Sequence, residues 1–165
     1  MTRTVILSVV LATISLGILG CGNGGRPEGM PKLYPLTLTF TQDGVPLAGA
    51  NVMLNGATPD LQRWGAGGMT DESGKVSFTT LGRYPGVAAG KFKVVVEKTE
   101  RDAPIAVPPG GEMTQEQLVA DAQRKTYDLV DPKYGDSNTT DLEVDTGSRL
   151  SSKTFEIGKA VRKAR

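Results

Sequence analysis

The chain contains 165 residues, the size of one domain, with a single cysteine and no histidine. The missing histidine excludes Ser-His-Asp triads and histidine metal sites, and a lone cysteine cannot form an intramolecular disulfide or a cysteine zinc cluster. Lys and Arg number 19 against 18 for Asp and Glu, without a basic stripe, so the sequence does not predict a nucleic-acid partner.

The N-terminal residues have the pattern of an export signal. Arg3 is followed by an uncharged apolar run over residues 5–20, and small residues precede Cys21. Two alternatives remain for this run. An uncleaved transmembrane anchor is one, because the run is just short of the roughly 17–25 residues that span a bilayer, and soluble secretion is the other.

The end of the run, Ile18-Leu19-Gly20-Cys21, resembles the lipobox of bacterial lipoproteins, although that family usually has Leu where this chain has Ile18. The resemblance implies that residues 1–20 are a signal peptide and that Cys21 carries the lipid. The protein is then expected to be a membrane-anchored lipoprotein of the bacterial cell envelope, facing the periplasm or the exterior. Gly22 replaces the Asp that retains some lipoproteins at the inner membrane, which favours the outer membrane.

An all-β body is predicted beyond this segment. Residues 21–32 are rich in Gly and Pro and lack an apolar period, so we predict a flexible tether there. Alternating apolar and polar residues then predict strands over 33–158, most clearly at 34–41 and 91–97. Further strands are predicted at residues 50–55, 64–70, 75–80, 142–145 and 152–157. Joined by Gly-rich turns, these segments favour an antiparallel β-sandwich of about seven strands.

Residues 98–128 interrupt the strand pattern and are predicted to be an insertion with one short helix, from Thr114 to about Lys125. Thr114 and Gln117 have the spacing of a capping box, and Asp121 and Lys125 that of an i,i+4 ion pair. The remaining residues, 159–165, are predicted to form a frayed and solvated basic tail.

Three segments of the body carry a family resemblance. Residues 43–52 (DGVPLAGANV), 70–78 (TDESGKVSF) and 89–94 (AGKFKV) resemble motifs of transthyretin-like, carboxypeptidase-regulatory-like domains, with Phe92 where the family usually has Tyr. The resemblance implies a transthyretin-like sandwich. It also implies a folding, spacing or binding module, because the family shares no catalytic residues.

Three aromatic residues are candidates for a binding surface. Trp64 lies beside small residues, and Tyr84 and Tyr134 lie in predicted loops. Aromatic rings at such positions can stack on a sugar or insert into a partner protein. Packing in the core is the alternative.

Three carboxylates are candidates for a metal site. Asp141, Glu143 and Asp145 alternate along a predicted strand, so their side chains share one face. Together with Asp131 or Asp136 they could bind Ca²⁺, which takes six to eight oxygen ligands. The alternative is the solvated outer face of an edge strand, where charge discourages pairing with other chains.

These features predict a lipid-anchored, extracytoplasmic and non-enzymatic protein that needs no cofactor. Its expected partners are the membrane, through acylated Cys21, and an envelope protein or glycan that the sequence does not identify. A small-ligand or Ca²⁺-binding envelope lipoprotein is the alternative. A hydrolase is a remote one, because the sequence singles out no catalytic pair among its 18 acids.

Overall fold

The all-β prediction is confirmed by a computed structural model of the chain, which describes residues 25–107, 109–147 and 152–165. The predicted signal peptide, Cys21 and the first part of the predicted tether lie outside the described residues. Residues 25–30 contain one turn, in which the Met30 N–H donates to the Pro27 carbonyl over 3.1 Å. Residues 31–165 form a separate unit.

Short strands make up most of this unit, because Gly and Pro repeatedly interrupt the ladders. The described residues contain fifteen strands, more than the predicted seven or so, since several are only two residues long. Their bounds are β1 Leu33–Tyr34, β2 Thr37–Gln42, β3 Val45–Pro46, β4 Asn51–Gly56, β5 Ala66–Met69, β6 Lys75–Ser77, β7 Thr79–Thr80, β8 Tyr84–Pro85, β9 Val87–Ala88, β10 Lys91–Glu97, β11 Thr99–Arg101, β12 Thr126–Asp128, β13 Glu143–Asp145, β14 Ser152–Glu156 and β15 Lys163–Ala164.

The described residues also form two α-helices, α1 (Pro59–Gln62) and α2 (Gln115–Ala122), and a 3₁₀ helix at Pro132–Gly135. None of these helices has the length and apolar character needed to cross a membrane.

The larger sheet has six strands in the order β13-β10-β4-β5-β7-β8, all with antiparallel neighbours. Its longest ladder joins β10 to β4, from Phe92 opposite Gly56 to Glu97 opposite Asn51. Alternate residues of these two strands are buried, as the two-residue period of a strand requires. They are Val52, Leu54, Phe92, Val94 and Val96.

A second sheet is centred on β2. β6 and β3 pair with successive parts of one edge of β2, and β14 pairs along the other edge. The β14–β2 pairing is parallel, so the prediction of a wholly antiparallel body is wrong for this strand. β13 lies in the larger sheet and β14 in the second, and strands that follow each other in different sheets are not held to the antiparallel direction of a hairpin. In this register the rings of Phe155 and Phe40 stack with their centroids 5.5 Å apart.

The chain passes between the two sheets at Thr70, a buried residue between β5 and β6. Its hydroxyl donates to the Leu47 carbonyl over 2.6 Å and accepts from the Ala50 N–H over 2.8 Å. One side chain therefore satisfies two buried backbone groups that would otherwise lack partners.

Gly74 completes this crossing. It has a φ of +73°, and its carbonyl accepts from the Phe40 N–H over 2.8 Å. The Phe40 carbonyl in turn accepts from the Leu47 N–H over 2.9 Å. A Cβ at position 74 would collide with the Phe40 carbonyl oxygen, so both backbone conformation and space require glycine.

The insertion contains the predicted helix and also a third sheet. The capping box of α2 is confirmed, because the Thr114 N–H donates to the Gln117 side chain over 2.9 Å and the Thr114 hydroxyl accepts from the Gln117 N–H. The predicted pair of Asp121 with Lys125 is replaced by Asp121 with Arg124, at 2.8 Å. Beside the helix, β11, β12 and β15 form a three-stranded antiparallel sheet.

The C-terminal residues are docked on this third sheet, so the prediction of a frayed tail is wrong. Within 159–165, the two residues of β15 pair with Tyr127 and Asp128 of β12. The acids that hold the tail come from distant parts of the sequence, and the local pattern of Lys and Arg therefore gave no sign of them.

Replacing Gly74 with Ala should destabilise the fold more than replacing Gly44 with Ala. Both glycines have positive φ, +73° and +75°, which costs a residue with a side chain about 1–2 kcal/mol. Only at Gly74 does the added methyl group also collide with backbone. We expect the free energy of unfolding to fall by about 1 kcal/mol for Gly44→Ala and by about 3 kcal/mol for Gly74→Ala. Urea unfolding followed by Trp64 fluorescence measures both, and equal losses would contradict the collision.

Candidate functional site

Two of the three predicted binding aromatics are buried. Trp64 is 9% exposed and Tyr134 is 7% exposed. A cation also lies over each ring, Arg63 at 5.6 Å from the Trp64 ring and Lys133 at 4.4 Å from the Tyr134 ring centroid. Neither residue therefore presents an open ring face, and for both the packing alternative describes the structure.

The structure does not bring the predicted aromatics together. Tyr84 is half-buried on β8, at one edge of the larger sheet, with the Arg83 guanidinium 5.7 Å from its ring centroid. Tyr134 lies on the 3₁₀ helix, which packs against β10. Four strand spacings separate β8 from β10, about 19 Å. These aromatics cannot form one platform for a sugar.

The three predicted metal ligands share an exposed face, but each has its own partner. Glu143 Oε1 lies 2.7 Å from Lys93 Nζ, and Asp141 Oδ2 lies 3.5 Å from Lys133 Nζ. Asp145 Oδ1 accepts from the Gly147 N–H over 2.9 Å. Within the described ranges, no group of three or more acidic, Cys or His side chains is arranged to hold a metal ion.

Glu143 lies in a cavity of about 350 Å³ at the free edge of β13, which we call the lysine groove. It is lined by Ala57, Lys91, Phe92, Lys93, Glu143, Val144, Asp145 and Lys153. The hydrogen bond and charge of Lys93 hold the pKa of Glu143 below its usual value, with smaller contributions from Lys91 and Lys153. Lys153 reaches across from β14 and donates to the Glu143 carbonyl over 2.9 Å. Glu143 thus has its charge paired with Lys93 and its carbonyl bonded to Lys153.

A second candidate site holds the C-terminal residues 162–165 and is called here the tail slot. It consists of the edge of β12 that pairs with β15, and five side chains around it. These are Glu97, Glu100, Asp102, Tyr127 and Asp128.

Arg162 is held in the tail slot by a ring and two carboxylates. Its guanidinium carbon lies 3.6 Å from the centroid of the Tyr127 ring. Its Nε lies 3.4 Å from Glu100 Oε2, and its Nη2 lies 3.9 Å from Asp102 Oδ1. A planar guanidinium can stack on a ring and still direct its N–H groups at carboxylates, so this position is suited to Arg rather than Lys.

Arg165 occupies a second position in the tail slot. Its Nε donates to Asp128 Oδ1 over 2.6 Å, and its Nη2 lies 3.5 Å from Glu97 Oε1. The hydrogen bond to Asp128 raises the pKa of Arg165 above its usual value. A charge-assisted hydrogen bond of this kind is stronger and more specific than a neutral one.

The backbone of the tail is bound as an added strand. Ala164 lies opposite Tyr127 and Lys163 opposite Asp128, and the Arg165 N–H donates to the Thr126 carbonyl over 3.0 Å. Sheet edges bind extended peptides in the same way, with main-chain hydrogen bonds for affinity and side-chain positions for specificity.

The side-chain contacts of residues 162–165 lie at the surface, and the residues before them have contacts of their own outside the slot. The side chains of Arg162 and Arg165 are 54% and 49% exposed, and ion pairs at such exposure contribute only about 0–1 kcal/mol each. Just before them, the Ala160 N–H donates to the Asp43 carboxylate over 2.8 Å and the Val161 N–H to the Leu129 carbonyl over 3.4 Å. The segment that can leave the slot is therefore 162–165.

Two cavities flank Arg165, of about 190 and 290 Å³, and both are lined by Glu97, Lys98 and Arg165. The larger also contains the side chain of Met69, which is 65% exposed. Residues 162–165 thus leave space beside the slot unfilled.

Sequence reasoning missed the tail slot. The sequence does show two groups of opposite charge. One is the acids Glu100 and Asp102, and the other is the basic residues of the tail. What the sequence did not show is the pairing of β12 with β15, which brings them together.

Comparison of the chain with protein-family models, with curated proteins and with solved structures gives no match. The function is therefore inferred from the residues and geometry above.

Replacing Arg162 with Ala should loosen the tail without unfolding the body. The loss of its contact with Tyr127 removes about 0.5–1 kcal/mol, so the Arg165 amide should exchange with solvent about 2–5 times faster. Amide exchange of residues 94–96 in β10 should not change. Hydrogen exchange measured by NMR tests this, with Lys159→Ala as the control variant. Unchanged exchange at Arg165 would show that the stacking does not hold the tail.

Proposed function

We propose that this protein is a lipid-anchored, extracytoplasmic and non-enzymatic module of the bacterial cell envelope that binds a protein partner through a sheet edge. The observation that carries the binding role is the tail slot. Its main-chain ladder and its charged and aromatic side chains already hold an extended segment, the tail of the chain itself. The anchoring role is supported by the export signal and the lipobox-like residues that end at Cys21.

A protein partner fits the described surface better than a glycan. Sugar binding commonly relies on an exposed aromatic ring as a stacking surface. Trp64 and Tyr134 are buried, the ring of Tyr127 is stacked under Arg162, and the exposed Tyr34 has Lys32 Nζ 5.4 Å from its ring centroid. The strand edge of the tail slot, by contrast, offers the main-chain groups that recognise another polypeptide.

The electrostatics of both candidate sites support binding rather than acid–base catalysis. A catalytic general acid needs a carboxyl group with a raised pKa. In the lysine groove the pKa of Glu143 is lowered by Lys93, and in the tail slot Asp128 is paired with Arg165. Carboxylates that are already paired with Lys or Arg are suited to holding cations.

The body is proposed to be a transthyretin-like sandwich, as its sequence motifs imply. Two of those motif segments, 43–52 and 70–78, meet in the structure, because the Thr70 hydroxyl is bonded to Leu47 and Ala50. Buried faces on both the larger and the second sheet support a two-layer core.

Replacing Cys21 with Ser should abolish lipid attachment, because only a thiolate at this position can accept the lipid group. In cells fed an alkyne-tagged fatty acid, the native chain should be labelled and should fractionate with membranes. The Cys21→Ser variant should carry no label, and Gly22→Ala should be labelled like the native chain. Mass spectrometry of the native chain shows whether residues 1–20 have been removed and whether Cys21 is modified. A chain that retains residues 1–20 and an unmodified Cys21 would contradict the lipoprotein assignment and support the transmembrane anchor.

A photo-reactive amino acid at position 99 should capture a protein partner in intact envelopes. Thr99 is exposed and lines the larger cavity beside Arg165. The matched control has the same amino acid at Lys75, which is exposed on β6 in the second sheet. We expect a defined adduct at position 99 that is missing at position 75. Identical adducts at both positions, or none at either, would contradict a partner at the tail slot.

A further inference from the structure

We propose that the tail slot is the docking site for an extended basic segment of a partner protein, with two arginines three residues apart, and that residues 162–165 occupy the slot as a built-in competitor. This rests on the proposed function of protein binding. It adds the chemistry of the partner and a means of control by the chain's own tail.

The chemistry of the partner follows from how the slot holds its present occupant. A stacking ring with two carboxylates receives the guanidinium of Arg162, and two more carboxylates receive that of Arg165. Four carboxylates around two positions favour cations and repel an acidic peptide. The ring of Tyr127 selects a planar cation, and the edge of β12 selects an extended backbone.

The tail is a displaceable occupant. Its two arginines are about half exposed, and β15 is only two residues long. Residues before it are fastened to Asp43 and Leu129, so release of 162–165 leaves the rest of the chain in place. Because the tail is covalently attached, it competes at a high effective concentration, and a separate segment must make more contacts to replace it.

Space for those additional contacts lies beside Arg165. The cavities of about 190 and 290 Å³ are both lined by Arg165 and are not filled by residues 162–165. The larger one presents the exposed Met69, an adaptable apolar surface, next to Glu97. A segment that also fills these cavities gains contacts there that residues 162–165 do not make.

Binding of a labelled peptide with the sequence of residues 159–165 (KAVRKAR) tests the proposal, with fluorescence anisotropy as the readout. The purified full chain is compared with a variant that carries both Arg162→Ala and Arg165→Ala, in which the tail is released. We expect the released variant to bind the peptide at least about tenfold more tightly than the native chain, because competition is removed. Adding Asp128→Asn to the released variant should weaken binding about threefold to fivefold, and adding the remote Glu72→Gln should leave it unchanged. Thermal unfolding of each variant shows that the body remains folded.

Modified peptides separate the two parts of the recognition. Replacing both arginines of the peptide with Gln should abolish binding. Methylating the nitrogen of its last arginine should also abolish binding, because the Arg165 N–H faces the Thr126 carbonyl. Methylating the preceding alanine nitrogen should have little effect, because alternate N–H groups of a strand point away from the neighbouring strand.

Two further probes, a Glu-rich peptide of the same length and an oligouronate, test the other ligand classes. Binding of either to the released variant in place of the basic peptide would overturn the proposal. Equal affinity of the native and released chains would overturn the competitor role of the tail. If the basic peptide fails to bind while cross-linking at position 99 still captures a partner, the proposed function stands and the basic segment is wrong. If both experiments fail, the proposed function fails as well.

Discussion

The body depends on one crossing point, where the chain leaves the larger sheet at Thr70 and enters the second sheet at β6. The hydroxyl of Thr70 is hydrogen-bonded to two backbone groups in the segment between β3 and β4. The Gly74 carbonyl accepts a hydrogen bond from the Phe40 N–H in β2, the central strand of the second sheet. Neither residue can be replaced without loss of stability, because the hydroxyl of Thr70 is buried and position 74 has no room for a side chain. The crossing joins β5, which pairs with β4, to β6, which pairs with β2. β4 pairs along its other edge with β10, from which the chain leads directly into the third sheet.

The free edges of the sheets are protected by parts of the same chain. Lys153 covers the outward carbonyl of Glu143 at the edge of β13, and residues 162–165 cover β12. Uncovered strand edges invite pairing with other chains, so such protection is expected in any all-β protein. The two protections differ in kind. A single lysine can only block an edge, whereas a tail with its own ladder and two anchored arginines also shows which segment that edge accepts.

Features that depend on neighbouring residues could be predicted from the sequence, with one exception, and features that depend on pairing between distant strands could not. The capping box of α2 was found because Thr114 and Gln117 are three residues apart and need no other part of the chain. The helix α1 was missed, although Thr58 followed by Pro59 is a local start signal for a helix. The parallel direction of β14 and the docking of the tail were beyond reach, because Arg162 and Glu100 are 62 positions apart. The candidate site was missed for the same reason, since its acids and its arginines are joined only by the third sheet.

The long sequence separation between β14 and β2 has a consequence for folding. Its register with β2 joins residues 115 positions apart, such as Phe155 with Phe40, and the buried Ile157 follows directly. Contacts between such distant residues slow folding, because the intervening loop must close before any of them forms. The second sheet therefore cannot be completed until residues 152–157 have been made.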